Sequence, residues 1–188
     1  MSARAALLPL FVLVGLAWAG LLLGQAPLGG RAITSVATLG GAWVKDSNGA
    51  TPCPPVGQGF DCGPHGWHRV EPRDVLVRGK NERCVWVHPQ QGRTVFITTA
   101  TPAGDAGQTT KLKVSFALDD RAVGGGAPVE VAVSRGDATL KHTHEDRAGW
   151  RSVDAPGRPG DLLTLAISSA HEGRRHFCFR LEGAATLP

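Results

Sequence analysis

The pentapeptide His142-Thr143-His144-Glu145-Asp146 has the opening spacing of an H-x-H-x-D zinc signature. On a strand, residues two apart point to the same face, so His142 and His144 would present their imidazoles together. The signature's next position calls for His and holds Arg147; His171 and His176 are the imidazoles further downstream. A zinc site needs three or four convergent ligands, so a polar strand face is the simpler reading and a zinc-dependent hydrolase using His142 and His144 the remote one.

A second constellation is Asp119-Asp120, followed by Gly124-Gly125-Gly126. Paired carboxylates on a bent, glycine-rich backbone could hold a structural calcium with loop carbonyls, because hard cations want oxygen donors. The alternative is a strand connection in which the aspartates accept from backbone donors. The glycines lack the Lys-Ser/Thr of a phosphate loop, and no G-x-S-x-G elbow accompanies the scattered Ser, His and Asp residues. Arg135-Gly136-Asp137 reads as a hairpin turn. Trp43, Trp67, Trp86 and Trp150 could stack on sugar rings, although tryptophan on a strand is as readily core. No cofactor is implied beyond the calcium candidate.

The elements that must position these groups read as strands. Residues 111–116 (KLKVSF) alternate, sending Leu112, Val114 and Phe116 to a core, and residues 128–134 (PVEVAVS) do the same with Val129, Val131 and Val133. Shorter candidates are 84–88, 93–99, 138–144, 161–168 and 176–181, each bounded by Gly, Pro, Asp or Asn, as in a sandwich or jelly roll. Gly 25 and Pro 13 are spread between the apolar runs, which predicts many turns. The 188 residues, less an apolar N-terminus, suffice for one core. A net charge of +4 with interleaved acids and bases excludes a strong nucleic-acid stripe.

Residues 5–24 carry no charge and can cross a bilayer, with Arg4 placing residues 1–4 in the cytoplasm. An uncleaved transmembrane signal anchor is the preferred reading, because Leu21-Leu22-Leu23 continues the run past the small-x-small site Ala17-Trp18-Ala19. Cleavage near Ala19, giving a secreted form, is the alternative. Residues 25–41 are expected to be a linker or early strand, 42–183 the exported domain and 184–188 a tail. All four cysteines follow the apolar run, and an even count in an exported domain predicts disulfides. Of three pairings, the Pro/Gly loop between Cys53 and Cys62 favours closing those two, leaving Cys84 with Cys178.

The block from Phe116-Ala117-Leu118-Asp119-Asp120 through the glycines to Val133 resembles the carbohydrate-binding modules found beside glycoside hydrolases. The frame of Cys62 with Trp67, residues 84–89, Gly149-Trp150 and Phe177-Cys178-Phe179 is similar to jelly-roll domains appended to envelope glycosyltransferases. The resemblance implies an all-β, antiparallel β-sandwich of galactose-binding-like jelly-roll type, preceded here by one N-terminal transmembrane helix. Where those modules end in an acidic, Trp-bearing strand, this chain has Arg174-Arg175-His176-Phe177-Cys178. The expected function is a non-catalytic, membrane-anchored binding module for glycan or cell-envelope polysaccharide, in the periplasm or outside the cell, in a bacterium by its Ala, Gly, Arg and Pro content. Expected ligand contacts are Trp67, Asp120, His142, Arg147 and Trp150. The alternative is an accessory subunit docking another envelope protein through an exposed apolar patch.

Overall fold

A computed structural model describes residues 33–35, 37–101, 110–158 and 160–185. The expected anchor at 5–24 lies outside the described residues. The described chain is all-β, with two antiparallel sheets and one turn of 3-10 helix. Its strands are β1 (Ile33–Ser35), β2 (Thr38–Asp46), β3 (Gly49–Pro52), β4 (Pro55–Val56), β5 (Gly59–Asp61), β6 (Arg69–Val77), β7 (Lys80–Val87), β8 (Thr94–Ala100), β9 (Thr110–Leu118), β10 (Val129–Arg135), β11 (Ala138–His144), β12 (Arg151–Asp154), β13 (Leu162–Ser169) and β14 (Phe177–Ala185). The helical turn η1 (Asp120–Ala122) follows β9.

The eight-stranded sheet runs β12-β9-β14-β7-β6-β5-β4, with β1 also on β14, and the six-stranded sheet runs β11-β10-β13-β8-β2-β3. Alternation decides the packing. Val129, Val131 and Val133, with Leu163, Leu165 and Ile167, face inward from the six-stranded sheet. They meet Leu112, Val114, Phe116, Leu118, Phe177 and Phe179 of the other sheet in one buried cluster. Turn chemistry sets the registers. Arg78-Gly79 joins β6 to β7 with φ of 49° and 74°, and Gly136-Asp137, the last two residues of the RGD tripeptide, joins β10 to β11.

The eight-stranded sheet is buried on its outer face as well, where Val75, Val77, Cys84, Trp86, Ala117 and Cys178 cluster beneath Trp150. The tip of the β6–β7 hairpin returns to η1, where Arg78 N and Gly79 N donate to the Asp120 carboxylate at 2.8 and 2.7 Å. The disulfides are Cys53–Cys62 and Cys84–Cys178, with Cα separations of 4.6 and 5.9 Å. The second joins adjacent strands β7 and β14 within that outer cluster.

Strand β2 begins inside the stretch expected as linker or early strand. Strand β6 has no equivalent among the expected strands. Its RVEPRDVLV mixes charge on both faces and carries Pro72, so period two is hidden until Val75 and Val77 are seen to cover the sheet.

Candidate functional site

Of the residues expected to bind ligand, Asp120, Arg147 and Trp150 lie on segments linked through η1 and the Arg78-Gly79 turn, where the neighbouring carboxylates serve the fold. Asp119 is 1% exposed and accepts from Arg121 N, Nε and Nη2. Burial works to raise its carboxyl, but the Arg121 hydrogen bonds and charge, with the Leu76 amide, outweigh it and hold the group below the usual carboxylate range. Asp120 takes the two amides of the Arg78-Gly79 turn. The calcium candidates therefore point to different protein donors. Asp146 accepts from Gly124 N, Gly126 N and the buried Arg175 guanidinium, and Arg175 Nη2 donates to Ala122 O at 2.6 Å. The Asp-Asp-Gly loop is built as a latch between strands. Arg147, next to Asp146, is exposed.

His142 and His144 do share a face of β11, and it is the inner one. His142 stacks on Phe116 at 5.3 Å between ring centroids, and His144, 1% exposed, packs edge-on to Phe177. No group of three His, Cys, Asp or Glu side chains is placed to hold a metal among the described residues. Burial, then the charges of His142, Arg151 and Arg147, lowers the His144 pKa to about 4.

Trp150 is half-buried beneath the Arg180 guanidinium, 4.1 Å from its ring centroid, and Trp86 lies beneath Arg73. Trp67 is 52% exposed and stacked on His65 at 4.5 Å. Sequence reasoning did not anticipate the imidazoles behind it. His68, His88 and His176 follow one another at 5.8 and 5.7 Å, although they come from three separate segments. Burial, followed by the charges of His176 and His68, lowers His88 to about 4.

A second surface was also missed by sequence reasoning: the outer face of the six-stranded sheet. Strand register places Trp43, Phe96, Ala166, Ala132 and Lys141 in a row across five strands. The Trp43 and Phe96 rings are stacked, parallel within 4° at 5.3 Å, and Ala166 is the register partner of Phe96 on the neighbouring strand. Beyond Phe96 the sheet is floored by methyl groups. A shallow groove of about 250 Å³ opens there, bordered by Thr94, Ser168, Glu130 and Lys141. The neighbouring row, Thr98, Thr164, Ser134 and Thr139, is entirely hydroxylic. A solvated sheet face ordinarily carries charges on its outward positions. The uncharged outward residues of 164–168, Thr164, Ala166 and Ser168, were the available signal.

No known family model matches the chain, and no curated protein matches it.

Proposed function

We propose that the chain is a non-catalytic, exported glycan-binding module of galactose-binding-like jelly-roll type. In this reading residues 5–24 tether it to the membrane, and the outer face of the six-stranded sheet receives the sugar. The row from Trp43 to Lys141 carries the reading. A pyranose ring has an apolar face suited to an aromatic wall and a methyl floor, and a rim of hydroxyls suited to carboxylate, ammonium and hydroxyl partners. Ala166 and Ala132 of the groove, with Phe96 next to Ala166 in the row, supply the first, and Glu130, Lys141, Thr94 and Ser168 the second. Two disulfides favour an oxidising compartment.

The test is a glycan array probed with the purified protein beside Phe96→Ala and Trp150→Ala. Binding to one glycan class, weakened about tenfold by Phe96→Ala and kept by Trp150→Ala, is expected. Failure to bind any glycan, with an envelope protein recovered by cross-linking in membranes, would favour the accessory-subunit reading instead.

A further inference from the structure

Among the described residues, the non-glycine positions with positive φ are Arg78 at 49° and Arg174 at 54°. The left-handed region costs a residue with a Cβ roughly 1 kcal/mol, and Asn or Gly occupies it more easily. Arg78 opens a two-residue hairpin turn, a position where Asn is favoured, and Arg174 precedes the buried Arg175. Both are exposed, as is Arg147. None of the three belongs to an ion pair found among the described residues.

The segments that bear these arginines meet at η1 and the glycine loop behind it. Asp120, at the start of η1, holds the Arg78 and Gly79 amides, and Ala122 O, at its end, accepts from Arg175. Asp146 ties the segment bearing Arg147 to Gly124, which faces open space, and to Gly126, whose missing side chain makes room for the Arg175 guanidinium. The Arg78 side chain lies against Gly149, and that of Arg174 reaches Gly125. Asp119 and Asp146 are paired with Arg121 and Arg175, and Asp120 spends its oxygens on the Arg78 and Gly79 amides, so none of the three guanidiniums has a carboxylate within ion-pair distance among the described residues. The backbone is thus tightly fixed while the charged heads stay in water. Strained conformations persist where the surroundings fix them, and they cluster at functional sites.

We propose that Arg78, Arg147 and Arg174 form an anion-binding edge for a polymer bearing repeated carboxylate or phosphate groups. A guanidinium offers such groups a planar fork of donors, and mounting it on a fixed turn lowers the ordering cost of binding. This surface is separate from the sheet groove. It rests on the glycan reading only in that one polymer touching both would be an acidic glycan.

The test uses the full chain in detergent, with polygalacturonate, polyphosphate and neutral dextran as probes at low and high salt. The variants are Arg78→Asn and Arg174→Asn, singly and together, because Asn accepts the left-handed backbone and keeps both turns. One polyanion is expected to bind at low salt and be released by high salt. Each variant should weaken it about fivefold and the pair abolish it, with the melting temperature unchanged or raised. Dextran should bind no better to wild type than to the double variant. Polygalacturonate and polyphosphate distinguish a carboxylate from a phosphate ligand. Undiminished polyanion binding by the double variant, or none by wild type at low salt, overturns the proposal. Failure of the groove reading would appear separately, as glycan binding indifferent to Phe96→Ala.

Discussion

The Arg175 guanidinium, fully buried, lies with Nη1 3.1 Å from the Asp146 carboxylate, whose second oxygen accepts from Gly126 N. A charge so enclosed is tolerable because Ala122 O, Ala127 O and Asp146 satisfy it together. Asp146→Ala should leave Arg175 buried without its counter-charge and cost about 3 kcal/mol. Arg121→Ala strips the guanidinium from the buried Asp119 carboxylate, but the Arg121 amide still donates to it and Arg121 itself is exposed, so the loss should be smaller, about 2 kcal/mol. Urea denaturation of both variants checks the ranking.

Acid should weaken the fold well above the carboxylate range. His144 and His88 both titrate near 4 in the folded chain against about 6.5 when unfolded. Between those values the unfolded chain binds more protons, so stability is full above about pH 6.5 and falls as pH drops toward 4. Discounted for partial solvent screening, each histidine accounts for on the order of 2 kcal/mol over that span. Denaturant midpoints measured from pH 7 to 4 should fall steadily, and His144→Phe should flatten part of the slope. A profile flat down to pH 5 would contradict the burial of both imidazoles.

The two disulfides should differ in worth. Closing 94 residues restricts the unfolded chain by about 4.5 kcal/mol in the loop-entropy account, and closing 9 by about 2.5. Replacing Cys84 and Cys178 by Ala should therefore lower the melting temperature further than replacing Cys53 and Cys62. The first pair also lies within the Trp86 and Val77 cluster, which adds a packing loss.

Filling the groove tests the glycan reading without touching the inner core. Ala166 faces outward between Phe96 and Ala132, so Ala166→Arg should abolish glycan binding with less than about 1 kcal/mol of destabilisation. Differential scanning calorimetry beside the array separates lost binding from lost fold.

Residue order alone determined the faces of the strongest strands and favoured, among three pairings, the cysteine partners the structure shows. Leu112, Val114 and Phe116 are buried as period two requires, and the short Pro/Gly loop made Cys53 the natural partner of Cys62. The pattern of β11 likewise put His142 and His144 on one face. Period two cannot say which face is the inside, and that depends on the partner sheet. With Phe116 and Phe177 packed against it, the face carrying both histidines became core. The fates of Asp119, Asp120 and Asp146 were decided in the same way, by donors 2 to 42 residues distant. Only tertiary register could align Trp43, Phe96, Ala166, Ala132 and Lys141. Apart from the Ala132–Lys141 pair of one hairpin, they come from strands far apart in the chain, and no local pattern links positions that only hydrogen bonds between such strands bring together.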